Sequence, residues 1–307
     1  MALATQTQAT GRVRRRAGIE SSRARTAWLM IIPTLLVVAL VAGYPLFRTI
    51  QLSFTDANFA TLGSDRAVGF ANYTSLFQDE VWWTAVRNTL IFTGGSVSIE
   101  FLLGLLVAMV INSQFPGRGL MRAAILVPWA IPTVVSAQMW RWMYNDVFGV
   151  VNDLALRVGL IAAPVAWVAS PETALGSIIA VDVWKTTPFV ALLLLAGLQT
   201  IPSDIYEAAR VDGASPVRQF FRLTLPLLTP AILVTLVFRT LDSLRVFDVI
   251  YVMRGTDQSS ISMAVYNRQQ LIDFGLFGYG SAISVLIFLV ILVFTVIYVT
   301  SLRVRFD

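Results

Sequence analysis

Cysteine and histidine are absent from this chain of 307 residues, and lysine occurs once, as Lys185. Those absences exclude a disulfide framework, a thiolate nucleophile, an imidazole-ligated metal and a Ser-His-Asp triad. Lys185 does not follow a glycine-rich GxxxxGK[ST] loop, so the chain cannot hold ATP on a P-loop of its own. Any ATP it depends on is bound by another chain. Charge is scarce as well: 13% of residues are charged against 56% hydrophobic, a balance that points to several membrane spans. The net charge of +5 does not describe a nucleic-acid face. Arg12, Arg14, Arg15, Arg16, Arg23 and Arg25 all precede the first apolar run, which is a cytoplasmic anchor pattern, and no nucleic-acid partner is expected. That first run lacks a small-x-small cleavage site and is too long for a signal-peptide core, so it is expected to remain as a span.

What the chain does hold is long apolar segments. A helix needs about 20 mainly apolar residues to cross the hydrocarbon. Six stretches meet this, near 27–50, 84–111, 121–144, 173–200, 226–250 and 279–301, the fifth being interrupted by charge. The expected architecture is an all-α membrane protein: a basic tail over 1–25, then a single transmembrane domain over 26–307. Its orientation follows from arginine. With the N-terminus inside, the inner segments carry the six tail arginines with Arg118, Arg122, Arg210, Arg218, Arg222, Arg303 and Arg305. The outer loops carry Arg66, Arg157, Arg254 and Arg268. The positive-inside rule therefore predicts six spans with both termini in the cytoplasm. In the 51–83 outer segment, FANYTSLFQDEVWW suits either an interfacial aromatic belt or a docking surface.

The inner segment 201–225 has the signals of a bent helical pair. Ser203 or Asp204 can cap a short helix with Glu207 in its first turn, and Gly213 can take the positive φ of a helix C-terminus. Ser215-Pro216 then opens a second helix, serine as cap and proline at the first helical position. Phe220, Phe221, Leu223 and Leu225 give that helix an apolar side before Pro226 and Pro230 lead into the fifth span. By physics alone the pair either docks a partner or merely covers the bundle as an interfacial helix.

Glu207-Ala208-Ala209, three residues, Gly213, nine residues, then Leu223-Thr224-Leu225-Pro226 matches the EAA signature of ABC importer permeases, with Leu223 in the place of isoleucine. LVPWAIPTVVSAQMWRWMYNDVFGVVN at 126–152 resembles the third span and following loop of sugar-import permeases. VDVWKTTPFVALLLLAGLQTIPSDIYEAARVDGAS at 181–215 and FRTLDSLRVFDVIYVM at 238–253 are most similar to the first permease of trehalose- and maltose-type importers. The resemblance implies that Glu207, Ala208, Ala209, Asp212, Gly213 and Ala214 form a coupling helix hairpin. It further implies two cytosolic ATPase subunits that use ATP and Mg, a second homologous permease and an extracytoplasmic sugar-binding protein. It places the protein in a bacterial cell membrane as a multi-pass transport subunit, without an ATPase site or cofactor of its own.

Charge inside the spans is the remaining signal, since a charged group at a helix centre costs about 2.5–3.5 kcal/mol on insertion scales and so faces a partner, a cavity or water. The fourth span carries Asp182 and Lys185; the fifth carries Arg239, Asp242, Arg245 and Asp248; Glu100 and Arg141 lie in the second and third. Pairs three apart can neutralise each other, which predicts Asp182–Lys185, Arg239–Asp242 and an outer Arg245–Asp248 pair as bundle ties. The other reading is a hydrated site for an uncharged polar solute, built from Asp182, Lys185, Thr186, Thr187 and Phe189 around Pro188, with Thr235, Arg239 and Asp242 opposite. The resemblance puts Asp182, Phe189, Arg239 and Asp242 on or near the sugar-holding positions of maltose-type permeases; residue chemistry adds Lys185 and Thr186 as candidate sugar contacts, with Trp140 and Tyr144 behind them. A permease for a different carbohydrate is one alternative. An ion-coupled secondary transporter is another, in which the intramembrane Asp and Arg residues serve proton or sodium coupling.

Overall fold

The computed structural model describes residues 25–301 apart from 62, 64 and 114, and among these the chain is helical with no strand longer than a single Thr55–Ala67 bridge. The tail arginines ahead of Arg25, and Arg303 and Arg305, lie outside the described residues. Five helices are long and apolar enough to span a membrane, and a sharply bent pair makes a sixth. They are α1 (Arg25–Leu52), α3 (Glu80–Asn112), the pair α4 (Arg118–Ala130) and α5 (Thr133–Met143), α7 (Pro171–Gln199), the helix entering at Pro216, and the last helix from Phe277. The short α2 (Ala71–Phe77) and α6 (Val150–Arg157) sit in the connections.

The main spans start where the local chemistry permits. Asp79 caps α3, its carboxylate accepting the Val81 amide at 2.8 Å and the Trp82 amide at 3.4 Å. The same carboxylate accepts hydrogen bonds from the hydroxyls of Tyr266 and Tyr279, which ties the start of α3 to the start of the last helix. Burial works to raise the Asp79 carboxyl, but the bonds from Tyr266 and the Val81 amide hold it below the usual carboxylate range. Ser170-Pro171-Glu172 opens α7 with proline at the first helical position and an acid in the first turn. α3 and α7 form the most extensive helix interface of the bundle. They approach closely at Gly104, where a Cβ would fall 2.5 Å from Val190, so a small residue is required there.

The third span differs from the expected continuous helix over 121–144. It breaks at Ile131-Pro132, and its two halves meet at 89°. Pro132 has no amide hydrogen to donate and disfavours helical conformation in the residue before it, and Ile131 is extended, at φ −74° and ψ 133°. The fifth span also departs from the expected 226–250. A short α9 (Pro216–Gln219) and a π-turn at Phe220–Thr224 lead without interruption into α10 (Leu225–Ser243). Pro226 and Pro230 each withdraw a donor from that ladder, and the π-turn lies beside them. The helix then stops; residues 244–247 form a break before α11 (Asp248–Arg254). After α12 (Met263–Arg268), α13 (Phe277–Ser301) closes the bundle.

Candidate functional site

The two helix breaks face each other across the centre of the bundle. A cavity of about 170 Å³ lies between them, lined by Thr133 just after the first break, by Asp182, Lys185 and Thr186 of α7, and by Arg239, Asp242 and Arg245–Val249 of the second break. Non-helical backbone at membrane depth is tolerated only where it is buried in protein or lines a cavity, and here it does both.

Arg239 organises the polar groups. It is 3% exposed, and Glu100 is 0% exposed. The guanidinium grips Glu100 with two bonds, Nε to Oε2 at 2.6 Å and Nη2 to Oε1 at 2.9 Å. Its Nη1 donates to Asp242 at 2.6 Å, and Nη2 also reaches Asp182 at 3.1 Å and Ser243 Oγ at 3.2 Å. Thr186 Oγ1 donates to Glu100 Oε1 at 2.5 Å and lies 2.6 Å from the Asp182 carbonyl. One fork therefore joins α3, α7 and α10, with a planar donor set suited to bidentate carboxylates.

The expected Arg239–Asp242 pair forms. The expected Asp182–Lys185 pair does not. Lys185 Nζ instead donates to the carbonyls of Ile131 at 2.8 Å and Trp129 at 3.4 Å, the groups released by the break at Pro132. An unpaired carbonyl in the membrane interior costs several kcal/mol, more than a neighbouring carboxylate on the same helix returns. Arg245 and Asp248 form no salt bridge among the described residues, because the break at 244–247 destroys the helical spacing that would bring them together. Five of the six expected contact residues line the central cavity. Phe189 does not; its ring stacks on Trp129 at 6.0 Å, packing beside the first break. Glu100, visible in the sequence as an acid in the second span, was not among the expected contact residues, yet it is the acid that Arg239 grips.

Trp140 packs edge-on against Trp184 at 5.4 Å and beside Tyr144, which lines a second, larger cavity of about 610 Å³. That cavity opens at the end of the bundle away from residue 213, with Arg141, Asp146, Tyr251 and Arg254 in its walls.

At the opposite end stands the hairpin. α8 (Ser203–Val211) is capped by Pro202 without a side-chain bond, so neither Ser203 nor Asp204 caps it; Asp204 is the first-turn acid and Glu207 lies one turn further in. Gly213 has φ +75°, and the amides of Gly213 and Ala214 donate back to Arg210 at 3.1 Å and Ala209 at 2.9 Å, a Schellman closure. Ser215 Oγ accepts the Arg218 amide at 3.4 Å, as expected for the cap of a helix opening on proline. Glu207, Ala208, Asp212 and Gly213 are exposed, while Ala209 and Ala214 are half-buried. Three apolar side chains stand out beside them: Val211 at 87%, Val217 at 67% and Phe221 at 61% exposure. Large apolar groups grouped on a polar element mark a contact surface.

Residues 100–305 match the family described as "Binding-protein-dependent transport system inner membrane component". The chain is 43% identical over 289 residues to the trehalose/maltose transport system permease protein of Thermococcus litoralis, covering 92% of this chain and 96% of that one. It is 38% identical to the trehalose transport system permease protein of Mycobacterium tuberculosis, over 92% of this chain and 91% of that one. Among solved structures it superposes with a TM-score of 0.79 and 25% identity on a chain of a bacterial alginate ABC transporter in complex with an alginate pentasaccharide-bound periplasmic protein. That match covers 92% of this chain and 96% of that one.

Proposed function

The chain belongs to the family of binding-protein-dependent transport system inner membrane components, and from that premise we propose that it carries an uncharged disaccharide of the trehalose or maltose kind across the cell membrane. It is the membrane-spanning permease of an ABC sugar importer, a multi-pass transport subunit. Its orientation is both termini inside, with the 203–224 hairpin in the cytosol and the 610 Å³ cavity outside. Its partners are a second, homologous permease, two cytosolic ATPases that use ATP and Mg, and an extracytoplasmic sugar-binding protein.

The observation that carries this reading is the pairing of an exposed, rigidly closed hairpin with a polar cavity between two helix breaks. Val211, Val217 and Phe221 supply apolar area for docking in an ATPase cleft, and Glu207 and Asp212 fix its polar rim. The Schellman closure lets the hairpin move as one body, so ATPase closure is transmitted to α7 and α10, which leave from its two ends. The central cavity of about 170 Å³ is smaller than the roughly 300–1,000 Å³ of typical small-molecule sites. Sugar therefore enters the outer cavity first, and the central one takes it as the breaks separate and the second permease supplies the facing wall. Asp182, Lys185, Thr186, Arg239 and Asp242 present donors and acceptors to sugar hydroxyls. Asp242, whose side chain is 66% exposed, is the one most free to exchange its partner for substrate.

The test is ATP-driven trehalose and maltose uptake into vesicles holding the assembled transporter. Val211→Asp is expected to abolish uptake with ATPase association, and Asp242→Asn to raise the half-saturating sugar concentration several-fold with assembly unchanged. Uptake that persists without the ATPases and follows the proton gradient would instead establish a secondary transporter.

A further inference from the structure

At the hairpin end of the bundle a third polar cavity, of about 320 Å³, is lined by Arg118, Arg122, Asn112, Gln199, Ser203 and Tyr206 together with Leu198 and Ile201. It gathers the end of α3, the start of α4, the end of α7 and the first turns of α8. No carboxylate lines it, and neither arginine has a salt bridge among the described residues. Arg122 donates through Nη2 to the Ile111 carbonyl at 3.3 Å, closing the C-terminus of α3, while its Nε is buried with no hydrogen-bond partner. Both arginines also sit in the first two turns of α4, a helix with no acidic residue in its first turn and no side-chain cap at Gly117. The amide end of a helix carries partial positive charge and favours anions, so two unpaired guanidinium groups there repel it and each other. Ser203 Oγ lies 3.4 Å from Asp204 Oδ1 and Tyr206 Oη lies 3.0 Å from Thr224 Oγ1, both partners lying within the hairpin itself.

We propose that this cavity binds a phosphate oxyanion, held by Arg118 and Arg122 with Asn112, Gln199 and Tyr206 around it, and that the bound anion fastens the hairpin to the inner ends of the spans. The assignment of the cavity to the inner leaflet rests on the orientation given above. A tetrahedral phosphate matches the forks of two arginines and cancels the charge conflict at the start of α4. The same chemistry comes from two sources, the headgroup of an anionic lipid or free phosphate in the cytosol.

The experiment takes the full chain in two arms. In the first, it is placed in nanodiscs of equal phosphatidylglycerol and phosphatidylcholine, washed, and its retained lipid is counted by native mass spectrometry. In the second, the lipid-depleted chain is titrated with inorganic phosphate against chloride at equal ionic strength, and the thermal midpoint is read. Each charge-assisted contact is worth about a factor of ten in affinity, so Arg118→Gln with Arg122→Gln lowers retention or phosphate affinity by about a hundredfold. The paired lysine variant, which keeps charge and loses the fork, falls between. Phosphatidylglycerol retention without a phosphate response assigns the site to lipid, and a phosphate response without lipid preference assigns it to the free anion. A wild-type chain that shows neither, or a glutamine variant that matches it in both, overturns the proposal. Neither readout uses ATP or sugar, so failed transport would refute the importer reading and leave this site standing.

Discussion

Replacing Arg239 with methionine tests the centre of the bundle directly. The substitution keeps most of the apolar stem and removes the group that bonds Glu100, Asp182 and Asp242 together. Glu100 is wholly buried, and without the guanidinium its carboxyl keeps the Thr186 hydroxyl and the neighbouring Asp182 carboxyl as partners but no cation. Breaking one side of a buried ion pair costs about 3–5 kcal/mol. At about 2–4 °C per kcal/mol for a chain of this size class, the midpoint falls by roughly 6–20 °C. A double variant, Glu100→Gln with Arg239→Gln, removes one of the two buried acids that lose their cation and keeps hydrogen-bonding atoms in place; Asp182 remains. It is expected to recover at least about half of the loss, because a neutral replacement of a buried pair is often tolerated. The assay is the fraction of chain remaining monodisperse on size exclusion after heating in one detergent at one scan rate, since unfolding of such proteins is commonly irreversible. A single-variant shift below about 2 °C, or a double variant no better than the single, refutes the view that this network holds α3, α7 and α10 together.

Two further outcomes follow from the local geometry. Gly213→Val adds a Cβ that meets nothing within 4 Å but sits at φ +75°, so its cost is backbone strain of about 1–3 kcal/mol confined to the hairpin; uptake is expected to fall with the thermal midpoint of the bundle unchanged, and an equal loss of both would show that the hairpin is part of the core. Asp79 has its carboxyl held low in the folded chain, so it contributes stability that is fully present above the ordinary carboxylate pKa and is lost as pH falls through the lowered one; Asp79→Asn is expected to be less stable than wild type at pH 7, with the difference vanishing in strong acid, and a difference that grows as pH falls would contradict the assignment.

Several features were legible from residue order because each is a local property. Span positions follow from runs of apolar residues, and α1, α3, α7 and α13 begin and end within a few residues of the expected limits. The positive φ at Gly213 and the Ser215-Pro216 start follow from what glycine, serine and proline allow the backbone to do. Even Glu100 was visible as an acid in an apolar helix, although nothing nearby in the chain named its partner.

The pairings belong to tertiary structure. Helical spacing assigned Lys185 to Asp182, but proximity along one helix weighs less than unpaired carbonyls on another, and those exist only once the third span bends at Pro132. Arg239 reaches Glu100 across 139 positions of chain, a contact set by the packing of α3 against α7 and α10. The break at 244–247 separates Arg245 from Asp248 for a related reason: helical periodicity holds only while the helix continues. Residue order thus decides which segments enter the membrane and where the backbone can turn, through hydrophobicity and φ preferences that need no neighbour. Which charges meet, and which cavities they surround, is decided by the folded bundle, because a buried charge or a freed carbonyl takes whatever partner the packing brings within reach.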